Sequence, residues 1–211
     1  MLRERIPRLA PPAPGAVSRS RAGPSDAALV VAARAHERWA CEALFRRYAP
    51  MANGMALRLM GRDADLDDLV QDSFASALRS LHRLENPHAF ASWFGAIVVR
   101  TSCKVLRRRR LARRLGLRHP EAIDVDALVS REAPPDIVAE LRAIYAVVED
   151  LPANVRVPLI LRRVEETPLD EIAQLMGASL ATVKRRVAEG ERLLEAAMAQ
   201  RGRSSVEGSR P

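Results

Sequence analysis

Residues Thr167–Leu194 read TPLDEIAQLMGASLATVKRRVAEGERLL, and the punctuation of that stretch decides the fold. Thr167, Pro168 and Asp170 make a helix start. The threonine hydroxyl suits a free backbone N–H, proline suits the first helical position, and acids favour the positive helix end. Leu169, Ile172, Ala173 and Met176 then recur at helical spacing. Gly177 suits the left-handed geometry that stops a helix. Ser179 starts a second helix, in which Val183, Val187, Gly190 and Leu194 recur at steps of four and three and form one packed face. Ala181, Thr182, Lys184, Arg185 and Arg186 lie off that face. The layout predicts a helix–turn–helix, whose first helix braces while the N-terminal half of the second enters the major groove. Small residues there let the backbone approach, and Lys or Arg reach phosphates and guanine edges. A plain helical hairpin with a solvated basic face would carry the same cations. Here caps, turn glycine and basic front edge coincide, which favours DNA.

Composition agrees. A chain of 211 residues suffices for one large or two small domains, and a net charge of +8 with a pI near 10.7 favours a polyanionic partner. Cys41 and Cys103 make neither a disulfide framework nor a zinc motif, and His36, His82, His88 and His119 are scattered without ligand spacing. No metal or cofactor is expected. The sequence shows no unbroken apolar run of membrane-spanning length, and the first residues lack the apolar core of a signal peptide. A reduced, soluble, cytoplasmic chain without membrane insertion is therefore expected. There is no Gly-rich phosphate loop and no nucleophile–His–acid grouping, so no enzyme activity is expected either.

No strand signal or internal repeat stands out. The expected fold is all-α: two small helical domains joined by a flexible linker, the C-terminal one a helix–turn–helix. Residues 1–25 are rich in Pro, Ala and Arg and read as a disordered basic tail. A helical domain is expected over 26–115. Residues 116–135 turn to acid and proline without a clear period, the composition of a linker. A second helical domain is expected over 136–200, with 201–211 a frayed tail.

The first domain carries three features. From Asp63 to Leu81, DADLDDLVQDSFASALRSL opens with five aspartates in ten residues. Asp65 suits a cap, and Leu66, Leu69, Val70, Ser73, Phe74, Ala77 and Leu81 make an inner face. That leaves Asp67, Asp68, Gln71 and Asp72 outside. Acids near a helix N-terminus are favourable in themselves. On a strongly basic protein they also offer a surface to a basic protein partner. From Asn86 to Arg110, NPHAFASWFGAIVVRTSCKVLRRRR has a helix start at Asn86–Pro87 and a buried side of Phe90, Trp93, Phe94, Ile97, Val98, Thr101 and Val105. Seven of the eight aromatics fall between Trp39 and Phe94, so this domain should own the larger core. Arg100 through Arg118 then holds nine cations and no acid, with Arg100, Lys104, Arg107 and Arg108 spaced as an outer ridge. Part of that charge suits a helix C-terminus, and the rest reads as phosphate binding. Between the two helices, SLHRLENPH offers Arg83, Glu85, Asn86 and His88 to base edges, or is simply a polar loop.

Taken together, ALFRRYAPMANGMALRLMGRDADLDDLVQDSFASAL, FASWFGAIVVRTSCKVLRRRR and LPANVRVPLILRRVEETPLDEIAQLMGASLATVKRRVAEGERLL resemble the extracytoplasmic-function sigma factors of bacterial RNA polymerase. They come in family order and spacing over 40–110 and 151–194. The resemblance implies promoter recognition and melting, with polymerase doing the chemistry. Asp67, Asp68, Gln71 and Asp72 would dock on the clamp helices of the largest subunit, and the flap would be a second contact with core RNA polymerase. Trp93, Arg100, Thr101, Lys104 and Arg107 would face the minus-ten element of promoter DNA. The loop with Arg83, Glu85, Asn86 and His88 would hold a flipped non-template base, whose unstacking costs a few kcal/mol that the pocket must offset. Ala181, Thr182, Lys184, Arg185 and Arg186 would read the minus-thirty-five element, and the linker would thread near the RNA exit path. An anti-sigma factor is a further partner the resemblance allows.

The chain departs from the family pattern at several points. Thr101 and Lys104 stand where many members carry Asn and Asp. Pro50 and Pro158 fall inside expected helices and should kink or shorten them. Gly190 stands where alanine is commoner and should cost some helix stability. One alternative is a dimeric helix–turn–helix regulator that binds duplex operator DNA, with 26–115 as its dimerising domain. It leaves the Asp-rich helix and the basic aromatic helix unexplained. An RNA-binding reading draws on the basic runs alone and has no recognised RNA module.

Overall fold

The computed structural model describes residues 23–61, 65–116 and 134–207. Among them are eight α-helices and no strand: α1 (Asp26–Arg34), α2 (Arg38–Met60), α3 (Leu66–Ser80), α4 (Phe90–Arg114), α5 (Pro135–Asp150), α6 (Ala153–Arg163), α7 (Leu169–Met176) and α8 (Leu180–Glu207). Two 3-10 turns, Leu81–Arg83 and Pro87–Ala89, bridge α3 to α4. The tail over 1–22, Asp63, the linker over 117–133 and residues 208–211 lie outside the described residues.

In the first half, Ser25 caps α1, its Oγ accepting from the Ala28 N–H at 3.2 Å. His36 takes a left-handed φ of 62° and reverses the chain into α2. The Asp26 carboxylate accepts from both Tyr48 and Arg47, which pins α1 on α2. The core is aromatic as expected. Phe74 of α3 lies 4.7 Å from Phe45 and 4.3 Å from Phe94 between ring centroids, and Tyr48 lies 4.9 Å from Phe90. Such tilted pairs add to the stabilisation from apolar burial.

The helix–turn–helix forms with small shifts. Gly177 has φ 59°, ψ 42°, the left-handed C-cap that a side chain would disfavour. Ser179 Oγ accepts from the Thr182 N–H at 3.2 Å and caps α8. The preceding start differs from expectation: Thr167 makes no cap, Pro168 is the capping residue and α7 begins at Leu169. Neither proline inside a helix ends it, since α2 runs through Pro50 and α6 through Pro158. Each forfeits one backbone bond, and buried neighbours on both sides hold the helix continuous. At its far end α8 runs to Glu207 rather than stopping near Gln200.

The two halves share one hydrophobic core. Helix α4 runs through its middle. Phe90, Phe94, Ile97 and Val98 are buried as expected, while Trp93, Thr101 and Val105 are half-buried. A second side of the helix, with Gly95, Val99, Ser102, Cys103 and Leu106, is buried as well. It meets α6 and α7 of the second half as well as α2. By length and apolar composition Pro87–Arg114 also suits a membrane span, but half of that window is buried inside this bundle, which accounts for its apolar character. In the second half Arg156 of α6 is 4% exposed. Burial pulls its guanidinium down to about 10, opposed by the nearby Glu149 and Tyr145.

Candidate nucleic-acid and polymerase interfaces

Along α3 the inner face closes over Leu69, Val70, Ser73, Phe74 and Ala77. Asp67, Asp68, Gln71 and Asp72 consequently stand exposed on the opposite side, with Asp67 and Asp68 in the first turn, where the helix dipole favours acids. Asp65 differs from expectation. It makes no side-chain cap; instead its Oδ2 accepts from Arg109 Nη2 at 3.1 Å. Arg109 is thereby taken out of the basic run and spent on holding α3 to α4, its side chain 11% exposed.

On α4 the ridge of Arg100, Lys104, Arg107 and Arg108 is exposed throughout. Thr101 is half-buried, and its hydroxyl donates to the Ile97 carbonyl at 2.9 Å, which leaves its oxygen free to accept. Trp93 is also half-buried, its ring 6.0 Å from Phe90. A groove of about 860 Å³ between α3 and α4 brings Trp93, Arg100, Thr101, Lys104 and Arg83 together with Asp68, Gln71 and Asp72. The α3 wall of that groove is acidic at its start, with Asp68 and Asp72, and carries Arg79 in its last turn, whereas the α4 wall is cationic and aromatic. His88 and Arg107 are not among its lining.

The turn between the helices is fixed from a distance. Arg34, at the end of α1, donates from Nε to the Leu81 carbonyl at 3.2 Å and from Nη2 to the Leu84 carbonyl. Two carbonyls tied to one guanidinium set the path of the loop. Sequence reasoning missed this residue, because nothing near position 34 signals a partner some fifty residues away. Within the loop Asn86 Oδ1 accepts from the His88 N–H at 3.0 Å, while Arg83, Glu85 and His88 are exposed. A second pocket of about 360 Å³ opens here, walled by Arg83, Glu85, Asn86 and Trp93 on one side and by Glu171, Gln174 and Leu175 of α7 on the other.

On α8, Ala181, Lys184 and Arg185 are exposed, and Thr182 and Arg186 are half-buried. The Thr182 hydroxyl lies 2.9 Å from Ser179 Oγ. Val183 and Val187 are buried beneath them. Arg186 reaches towards α4: with Arg107 it opposes the upward push that burial gives the Cys103 thiol. Among the described residues no group of three or more His, Cys, Asp or Glu is placed to hold a metal ion.

Residues 44–115 match the Sigma-70 region 2 family and residues 141–194 the Sigma-70, region 4 family. RNA polymerase sigma factor CarQ of Myxococcus xanthus is 31% identical over 74% of this chain and 88% of its own. The ECF RNA polymerase sigma factor SigM of Mycobacterium tuberculosis is 30% identical over 78% and 80% respectively. Among solved structures, the sigma factor RpoE in complex with the anti-sigma factor NepR from Bartonella quintana shares the fold. Its TM-score is 0.56 at 19% identity, covering 75% of this chain and 96% of that one. Two sigma-type helical regions in this order, with relatives matched over most of their length, give one conclusion: the chain belongs to the extracytoplasmic-function sigma factors of bacterial RNA polymerase.

Proposed function

We propose that this protein binds core RNA polymerase through the acidic face of α3, and grips promoter DNA at two points through α4 and α8. The observation that carries the reading is the α3–α4 groove, where Asp68 and Asp72 of α3 stand beside Trp93, Arg100 and Lys104 of α4. Asp67, Asp68, Gln71 and Asp72 meet a basic surface of the polymerase clamp. Arg100, Lys104 and Arg107 hold phosphates at the minus-ten element, where Trp93 and Thr101 stack on and accept from unpaired bases. Arg83, Asn86 and His88 read a flipped base. Ala181, Thr182, Lys184, Arg185 and Arg186 lie in the major groove of the minus-thirty-five element. The protein supplies recognition and melting in the cytoplasm and has no reaction of its own. The two regions that carry these roles are residues 26–115 and 136–200. An anti-sigma factor is its regulatory partner, by analogy with the Bartonella relative. A dimeric operator-binding regulator would leave the exposed acids of α3 without a role.

Transcription in vitro with core polymerase on a genomic fragment library tests this. Discrete start sites sharing an upstream element are expected. Asp68→Arg with Asp72→Arg should cut core affinity at least tenfold while leaving helicity unchanged. Unchanged core binding by that variant would remove the assignment of the α3 face.

A further inference from the structure

Two leucines interrupt the most cationic stretch of the chain. The last buried residue of α4 is Leu106, and the helix runs on to Arg114, about 12 Å further. In that overhang the cations divide between two sides. Arg109 and Arg113 turn inward, the first bonded to Asp65, the second to the Glu149 carbonyl and 3.9 Å from Asp150. Arg107, Arg108 and Arg114 are exposed. On this outward side Leu111 and Leu115 continue the line of Lys104 and Arg108 at steps of three and four, 59% and 63% exposed. Scattered surface leucines are ordinary. A pair one turn apart, framed by arginines and beyond the reach of the core, leaves apolar surface in water that the fold does not bury.

A DNA backbone offers such a ridge charge but no apolar surface for its leucines. An amphipathic peptide helix needs a groove, and the two grooves described above include neither leucine. A convex ridge instead matches a flat surface that is anionic outside and apolar just beneath, where arginines hold headgroup phosphates and leucines dip past them. We propose that the overhanging end of α4, with Leu111 and Leu115 framed by Arg107, Arg108 and Arg114, docks on an anionic lipid bilayer. The contact is peripheral, and no helix crosses the membrane. Lys104 and Arg107 also belong to the minus-ten ridge, so bilayer and promoter compete for one face. That competition, though not the docking, rests on the sigma-factor reading given above.

Flotation of the full-length protein with vesicles of equal parts phosphatidylglycerol and phosphatidylethanolamine tests this, against neutral phosphatidylcholine vesicles. Partition into the anionic vesicles should exceed that into the neutral ones at least tenfold. Leu111→Ser with Leu115→Ser keeps every cation and should cut anionic partition at least fivefold. Helicity and affinity for duplex DNA should not change, since neither leucine supports the core or the ridge. If the double variant loses helicity, Leu115→Ser alone, at the C-cap of α4, decides. Equal partition into the two vesicle types overturns the proposal. So does a double variant that floats like the wild type, which would leave only the adsorption of a basic protein by charge. If the variant keeps its flotation but loses affinity for DNA, for core polymerase or for a second copy of itself, the leucines belong to that partner and the lipid assignment falls. Promoter DNA with core polymerase should displace the wild type from vesicles. Flotation that persists alongside a demonstrated promoter complex would instead count against the shared DNA face.

Discussion

Gly190 shows why a single position resists reading from local preference. In an exposed helix, glycine costs roughly 1 kcal/mol relative to alanine. Here a Cβ would meet Leu159 Cδ2 at 3.1 Å and Val155 Cγ1 at 3.2 Å, so the glycine lets α8 approach α6. Gly190→Ala sets a propensity gain against a tight contact and should change thermal stability little. Gly190→Leu overpacks the same gap and should destabilise by about 1–3 kcal/mol, seen as a lowered midpoint in thermal unfolding. A large loss for Ala would mean that the α6 side chains cannot yield. Arg34 works in the opposite direction, as a long-range tie. Arg34→Met keeps the stem but removes the donors to Leu81 and Leu84. That should slow promoter opening about tenfold, since a hydrogen bond from a charged donor is worth roughly 1.5–3 kcal/mol. Permanganate footprinting of the melted bases reads this, with affinity for core unchanged. Equal opening would remove Arg34 as a positioning residue.

Helix α8 carries a separable electrostatic prediction. If Lys184 holds one phosphate of the minus-thirty-five duplex, Lys184→Ala should flatten the plot of log affinity against log salt by about one unit. Fluorescence anisotropy across a salt series measures the slope, and an unchanged slope places Lys184 off the DNA. Such outward residues were legible because Val183, Val187, Gly190 and Leu194 fix the inner face and everything else follows by rotation. The same logic exposed the acids of α3. It failed on α4 and α7, where periodicity finds one apolar stripe and these helices have two. Val99, Cys103 and Leu106 belong to a second stripe on α4, and on α7 Leu175 is buried beside the expected Ile172 and Ala173, while Met176 is only half-buried. Those positions are buried by a neighbour distant in sequence. The ties Asp65–Arg109 and Arg58–Glu165 were hidden for the same reason, since each joins residues far outside any helical window.

The shared core changes what unfolding should look like. Two domains on a linker would melt separately, because transient interfaces between domains are small and polar. Here Val157, Ile160, Leu161, Ile172 and Val183 of the second half join the same buried cluster as Phe90, Phe94 and Val98 of the first. Exposing that cluster in one half exposes it in the other, so each half raises the cost of opening its neighbour. Calorimetry of the wild type should therefore show a single transition, of order 100 kcal/mol at about 0.7 kcal/mol per folded residue, with matching calorimetric and van't Hoff enthalpies. Leu175→Glu puts a carboxylate where α7 meets α4 and should uncouple the halves, because a buried unpaired charge is strongly disfavoured. The trace should then resolve into two transitions, the earlier one assigned to the helix–turn–helix by loss of hydrogen-exchange protection in α7 and α8. Two transitions already present in the wild type would mean that the common core carries no coupling between the halves.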